Sequence, residues 1–229
     1  MTKKILRFTD TNHEWRETRR KYITATEMAS LFQLGNKSVT KLIEDKICPP
    51  EIIKNEFMTI GNILEPAVLK AFQIRCGIDA RPACPDSVVM VTDEVHRIAA
   101  TPDGKYFDGW DWHLIECKTT GSADLNKAKE NFNKWKREIP IHYLVQVHTQ
   151  MLVTGVPSAY IGCLSYFYPL PFIAYKIEAS AEVQSLMREA AQRFWQCFEN
   201  DEIYHPIADR EQVREMLKRT AHLHFISHE

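Results

Sequence analysis

Along the first third of the chain apolar residues recur at helical spacing; along the middle third they gather into short runs broken by turn residues. Ile60, Leu64, Val68 and Phe72 form one stripe of a helix expected from about Phe57 to Cys76, with Gly77 as its cap. Thr24-Ala25-Thr26-Glu27 fits a capping box that would open a helix to about Gln33, closed by Gly35. Asn36 or Ser38 would open a short helix through Ile47, stopped by Pro49-Pro50. Val88–Thr92 and Arg97–Thr101 read as strands, followed by a Pro-Asp-Gly turn, and Asp108-Gly109 marks a second turn. His113–Lys118 reads as a further strand, ended by Gly121-Ser122. Asp124–Lys136 is a charged helical stretch, and Pro140 suits the first turn of a helix running to about Thr154, with Gly155 behind it. Strands at Ala159–Phe167 and Phe172–Ile177 lead into a terminal helix from about Ser180. This order predicts an α/β fold, a central mixed β-sheet flanked by helices.

No repeat, low-complexity tract or Gly/Ser linker divides the chain, and its 229 residues suffice for one sizeable core. One domain over residues 1–229 is expected, with a helical part at about 14–77, a sheet with its helices at about 86–200, and a C-terminal helix and tail at about 205–229. No apolar run approaches the ~18 residues that span a bilayer, so no membrane is expected as a partner. Two early lysines without a following apolar stretch argue against a signal peptide, and the expected location is the cytoplasm. The six cysteines are scattered without a C-x-x-C pair, which reads as small buried residues rather than a zinc site or disulfide framework.

The net charge of −1, from 29 basic and 30 acidic side chains, gives no global attraction to nucleic acid. Any such attraction must come from local clusters. One is Arg16, Arg19, Arg20 and Lys21 beside Trp15; another is Lys127, Lys129, Lys134, Lys136 and Arg137 interleaved with Phe132 and Trp135. The second reads equally as a backbone-tracking strip or an amphipathic surface helix. Trp110 and Trp112 read as packing residues, and His222, His224 and His228 as a frayed tail. No Gly-rich phosphate loop is present, so nucleotide hydrolysis is not expected.

The chemistry-bearing pieces are Thr101-Pro102-Asp103-Gly104 and Glu116-Cys117-Lys118, with twelve positions between Asp103 and Glu116. Alternation along a strand puts Glu116 and Lys118 on one face and Ile115 and Cys117 on the other. A hairpin between the segments would bring the Asp103 carboxylate to Glu116, and two carboxylates brought together favour a cation between them. Oxygen donors select a hard ion, Mg²⁺ with Mn²⁺ as a substitute. Lys118 would orient a water and offset phosphate charge, which makes a coherent site for phosphodiester hydrolysis.

Pro102-Asp103…Glu116-Cys117-Lys118 resembles the signature of the PD-(D/E)xK nucleases, whose core is restriction-endonuclease-like. Gly61-Asn62-Ile63-Leu64-Glu65 is similar to the G-x-x-x-E helix motif of exonucleases in that superfamily. Trp15-Arg16-x-x-Arg19 with Ile23-Thr24-Ala25-Thr26-Glu27 resembles the W-x-x-x-R…ITAS/T-E motif of lambda-type phage exonucleases, the viral recombinases or alkaline exonucleases. The match in order and spacing runs from about Trp15 to Thr154.

The resemblance implies a metal held by Asp103, Glu116 and the backbone carbonyl of Cys117, with Glu65 supporting a second ion or its waters. Lys118 would position the nucleophilic water, assisted by Gln146, and Arg19, Thr26 and Thr101 would hold the 5′-phosphate. The chain has Thr26 and Thr101 where the family pattern has Ser, each still offering a hydroxyl. Its Q-x-x-x-Y motif departs, because Gln150 stands four residues after Gln146.

The implied activity is processive 5′→3′ digestion of one strand of linear double-stranded DNA with free ends, giving 3′ overhangs for recombination. A homotrimeric ring around DNA, a single-strand annealing protein as partner, and phage or prophage origin in a bacterial host are also implied. Two other readings stand beside it: a site-specific endonuclease or junction resolvase on the same core, and a catalytically inactive DNA-binding module.

Overall fold

The fold is described by a computed structural model over residues 2–9, 13–48 and 56–227, the side chains of residues 57 and 58 excepted. Pro49-Pro50, the expected helix stop, and His228 lie outside the described residues. In chain order the elements begin with β1 (Lys3–Phe8), α1 (His13–Arg20), β2 (Ile23–Thr24), α2 (Met28–Leu31), α3 (Val39–Ile47) and α4 (Glu56–Ala71). Helix α4 runs on into a π-helical turn, Phe72–Cys76. The middle comprises β3 (Arg81–Pro82), β4 (Val88–Asp93), β5 (Ile98–Ala100), β6 (Gly104–Phe107) and β7 (Trp112–Thr120). Then come α5 (Leu125–Arg137), α6 (Ile141–Thr154), β8 (Ser158–Ser165), β9 (Phe172–Glu178), α7 (Ala181–Glu199), α8 (Arg210–Lys218) and β10 (Ala221–Ile226).

The expected mixed sheet has six strands in the order β10-β9-β8-β7-β6-β3, with β7 and β8 parallel and the other neighbours antiparallel. A second sheet, in the order β1-β4-β5-β2, was not anticipated. Alternation along β7, β8 and β9 sorts their side chains between two cores. Leu114, Ile161, Cys163, Ile173 and Tyr175 face one cluster with α6 and α7, while Ile115, Tyr160, Leu164 and Phe172 face the other with Val68 and Phe72 of the α4 segment. The sheet is thus sandwiched between α4 and α6, and Glu116, in step with Leu114, falls on the α6 side.

Several expected boundaries are met with their caps. Ser38 accepts from the Lys41 N–H, Asp124 from Lys127 and Ser180 from Val183, and Gly77 and Gly155 take positive φ behind their helices. Other expectations are corrected. The Glu27 carboxylate accepts the Thr24 N–H as the capping box expects, but α2 begins only at Met28 and the Thr24 hydroxyl donates to Glu27 instead of capping a helix N–H. Gln33, at φ 55, and not Gly35, takes the left-handed position after it.

The tail is not frayed at His222 and His224, because β10 pairs antiparallel with β9 and closes one edge of the sheet. Helix α8 follows the helix that starts at Ser180 and lies within the stretch at about 205–229 where a C-terminal helix and tail were expected. Trp110 and Trp112 are not packing residues in the sense expected: Trp110 is 90% exposed, and Trp112, 51% exposed, lies against the similarly exposed ring of Phe107. Of the six free cysteines, Cys163 and Cys197 are buried, whereas Cys48 is exposed. Phe132 and Trp135 are buried, so α5 is an amphipathic surface helix whose aromatics serve the core. No described helix is long and apolar enough to cross a membrane.

Candidate active site

The β6–β7 hairpin brings the two chemistry-bearing segments together. Gly104 pairs with Ile115, so Asp103, just before β6, comes opposite Glu116. Its Oδ2 accepts the Cys117 backbone N–H at 2.8 Å, which pins the turn to the neighbouring strand. The hairpin closes tightly at this point. A Cβ on Gly104 would lie 2.8 Å from Leu69 Cδ2 and 2.9 Å from the Arg81 carbonyl oxygen, so the strand start approaches α4 and β3 only without a side chain.

Glu116 is 1% exposed and makes three hydrogen bonds. Oε1 accepts from Lys118 Nζ at 2.5 Å and from Gln146 Nε2 at 2.5 Å, and Oε2 accepts from Gln150 Nε2 at 2.6 Å. Gln146 and Gln150, four residues apart on α6, therefore project from one helix face onto one carboxylate. Lys118 Nζ also lies 4.6 Å from the ring centroid of Tyr143, one turn before Gln146, so the ammonium is held between a carboxylate and an aromatic face.

Negative charge is crowded here. Burial first, and then Glu116 and Glu65, raise the Asp103 carboxyl well above its ordinary range, with Lys118 and the Cys117 N–H only partly offsetting them. Glu65 is also raised, by burial and then by Glu116. Burial alone would lower the Lys118 ammonium, but Glu116 and Asp103 outweigh it and hold it above the usual lysine range.

The hydroxyl-and-arginine group forms next to this. Arg19 donates to Thr24 Oγ1 at 3.3 Å and Thr26 Oγ1 at 3.4 Å, with its guanidinium 4.4 Å from the Trp15 ring centroid. Arg20, by contrast, is spent on Glu17 and on the Lys46 and Ile47 carbonyls, so only Arg19 of that pair is turned toward the site. Below lies a buried ion pair, Lys46 Nζ to Glu27 Oε2 at 2.8 Å, and Lys46 also donates to the Tyr22 carbonyl. Burial would raise the Glu27 carboxyl, but Lys46, the Thr24 N–H and Arg19 bring it below its ordinary value.

One cleft of about 630 Å³ takes in every residue given a role in the expected site: Arg19, Thr26, Glu65, Thr101, Asp103, Glu116, Cys117, Lys118 and Gln146 line it. Glu65 does not pair with Lys70, whose amine donates to Gln73. Among the described residues, no group of three or more His, Cys, Asp or Glu side chains is drawn close enough to hold a metal ion. Asp103, Glu116 and Glu65 share the cleft with the first two turned onto protein donors. Sequence reasoning missed Gln150, Tyr143 and Thr24 as members of the site. The signal for Gln150 and Tyr143 was their spacing from Gln146 on one helix.

The model of the YqaJ-like viral recombinase domain matches residues 14–157, which span the whole cleft. No curated protein matches by sequence. Among solved structures, an alkaline exonuclease (LHK-Exo) from Laribacter hongkongensis superposes with a TM-score of 0.60 at 22% identity, over 91% of this chain and 97% of that one. LHK-Exo in complex with dAMP gives 0.58 at 21% over the same shares. A phage related exonuclease from Haemophilus somnus 129PT gives 0.54 at 13%, over 79% of this chain and 96% of that one. These likenesses show a common fold, with the mixed sheet expected from the element order and the restriction-endonuclease-like core that the resemblance implied. With more than half its length matched, this chain belongs to the YqaJ-like viral recombinase family.

Proposed function

We propose that this chain is a divalent-metal-dependent deoxyribonuclease, an exonuclease of the PD-(D/E)xK type. It digests the 5′-ended strand of linear double-stranded DNA processively and leaves 3′ overhangs for recombination by strand annealing. The observation that carries the reading is the meeting of Asp103, Glu116 and Lys118 in the cleft that also holds Arg19, Thr26 and Thr101. Membership of a viral recombinase family supports it, as does a fold shared with proteins described as exonucleases.

The residues fit a hard divalent cation, Mg²⁺ with Mn²⁺ as its substitute. Carboxylate oxygens are the donors such an ion prefers, and the raised Asp103 and Glu65 carboxyls mark a surplus of negative charge for it to relieve. Asp103, Glu116 and the Cys117 carbonyl would hold it, with Glu65 on a second ion or its waters. When bound, the ion supplies charge opposite the phosphate and the leaving oxygen.

The chain's own groups do the remaining work. Lys118 keeps its proton beside Glu116 and Asp103, so it serves as a donor that orients the attacking water and as a fixed cation facing the phosphate. Gln146 steadies Glu116 Oε1 next to that ammonium. Arg19, with Thr26 and Thr101, grips the 5′-phosphate and sets the end of the strand in register.

The same reading includes a homotrimeric ring enclosing the duplex, which would account for processivity in a chain of net charge −1. It also includes an annealing protein that receives the exposed strand, and a phage- or prophage-encoded enzyme at work in the host cytoplasm. Digestion of linear and of covalently closed circular duplex tests the exonuclease reading. Loss of the linear form with intact circles is expected. Nicked circles would make the chain an endonuclease or resolvase, and DNA binding without any nucleotide release would leave a binding module.

A further inference from the structure

Three groups meet at the Thr24 hydroxyl, and their chemistry fixes the direction of each hydrogen bond. Thr24 Oγ1 lies 2.8 Å from Glu27 Oε2, 3.2 Å from Thr26 Oγ1 and 3.3 Å from Arg19 Nη2. A hydroxyl has one hydrogen to donate and two lone pairs with which to accept. Burial opposes the charge on Glu27, but Lys46, the Thr24 N–H and Arg19 outweigh it, so the carboxylate stays ionised and can only accept. The single Thr24 hydrogen therefore goes to Glu27, in the shortest and only charge-assisted contact that this hydroxyl can donate to. Its lone pairs are left for Arg19 and for the Thr26 hydroxyl, which must be the donor of that pair. Thr26 is placed differently: its hydrogen rests on another hydroxyl, and its oxygen accepts from the same Arg19 nitrogen at 3.4 Å. Thr24 is 5% exposed, lines the cleft and pairs through its backbone with Ala99 of β5, so its oxygen sits at a fixed point of the wall.

Resting on the phosphate grip proposed above, we infer that Thr24 is a positioning residue for 5′-phosphate recognition: its hydroxyl, committed to Glu27, is a fixed acceptor that anchors the Arg19 guanidinium and leaves Thr26 as the hydroxyl that turns to the phosphate. A phosphate oxygen is itself an acceptor, so it gains nothing from the lone pairs that Thr24 presents, whereas Thr26 can rotate its hydrogen away from Thr24 and onto it. The carboxylate behind them thus divides two neighbouring threonines into one for the arginine and one for the ligand. The anchor matters because a long arginine side chain loses rotamer freedom when it binds. Held in place before the phosphate arrives, Arg19 has less of that freedom to lose at binding, and affinity for the charged end rises accordingly.

The test is fluorescence-anisotropy titration of the full-length protein, in chelator, with two blunt duplexes that differ only in carrying a 5′-phosphate or a 5′-hydroxyl. The proteins are wild type, Thr24→Val, which keeps the shape and suits a strand, Thr24→Ser, which restores the hydroxyl, Arg19→Ala, and Arg19→Ala with Thr24→Val. Thermal unfolding of each accompanies it, and Thr24→Ala replaces Thr24→Val if the latter does not fold. The ratio of the two dissociation constants reads phosphate recognition apart from cleavage. Thr24→Val is expected to lower the wild-type preference for the phosphorylated end by about 3–10-fold, the range one hydrogen bond carries, while Thr24→Ser holds it within about 2-fold. In the Arg19→Ala background Thr24→Val should change the ratio no further, because Thr24 acts through Arg19. An unchanged ratio in Thr24→Val, an equal loss in Thr24→Ser, or a further loss in the Arg19→Ala background overturns the inference, the last by putting Thr24 on the phosphate itself. A wild type without preference overturns it together with the phosphate grip. Failure of the nuclease reading shows separately, as no nucleotide release by wild type when Mg²⁺ is supplied.

Discussion

Asp103 Oδ2 accepts the backbone N–H of Cys117 at 2.8 Å, tying the turn before β6 to the strand that carries Glu116 and Lys118. The bond runs from a side chain to main chain, so it fixes the height of the Asp103 carboxylate along β7. Glu116 is fixed from the other side by α6, through Gln146 and Gln150. Two elements that are remote in sequence thus set one pair of acids, and the cleft inherits its geometry from the hairpin and a single helix.

Gly104 is where that geometry is most exposed to substitution. Gly104→Ala places a methyl within 3 Å of both Leu69 and the Arg81 carbonyl. Leu69 can shift, but the backbone oxygen cannot do so cheaply. A loss of about 1–3 kcal/mol in unfolding free energy is expected by chemical denaturation. The disturbance falls next to Asp103, so activity should fall by more than the unfolded fraction explains. An unchanged midpoint together with unchanged activity would show that the hairpin start is not tightly constrained.

Arg19 is the one arginine of the α1 pair turned to the threonine hydroxyls. Arg19→Ala should lower the preference for 5′-phosphorylated over 5′-hydroxyl ends by about 10-fold or more, as removal of a charge-assisted hydrogen bond worth ~1.5–3 kcal/mol implies. Competition between the two kinds of end in one reaction reads this directly. A uniform loss on both would make Arg19 a general electrostatic contact.

His148 gives a pH signature independent of the cleft. It is fully buried on α6, Nε2 bonded to Thr220 Oγ1 and Nδ1 without a partner, and burial lowers its pKa to about 4. A depressed folded-state value means that the unfolded chain binds the proton first as acid is added. The stabilisation is fully present above about pH 6.5 and is lost as pH falls toward 4, by at most about 3 kcal/mol. Denaturation midpoints of wild type and His148→Gln from pH 7 to 4 check it, the variant showing the shallower decline. Parallel curves would assign acid sensitivity elsewhere.

Much of the site was legible because its chemistry lies on elements of short period. Two-residue alternation put Glu116 and Lys118 together, and the Pro-Asp-Gly turn placed Asp103 at the start of the hairpin. What escaped depends on how elements dock. Gln150 reads as one more polar residue on α6 until the helix lies across the sheet and delivers it to Glu116. Glu27 keeps the Thr24 N–H that the Thr-x-x-Glu pattern predicts, but tertiary packing adds Lys46, a charged partner the local pattern does not show. Strand β1 is exposed at most positions, and in β10 the alternation of Ala221, Leu223 and Phe225 with His222 and His224 spans only five residues; the pairing of both strands is set by neighbours far away in the chain.

The central claim is that Asp103, Glu116 and Lys118 form a cation-dependent hydrolytic centre. A time course on 5′- and 3′-end-labelled linear duplex, with Mg²⁺ or with chelator, for wild type and Lys118→Ala, tests it most directly. The expected result is nucleotide release from the 5′-ended strand by wild type with Mg²⁺ only, and a rate at least about 100-fold lower for Lys118→Ala with DNA binding retained. Release that persists in chelator, or near-normal turnover by Lys118→Ala, would contradict the account.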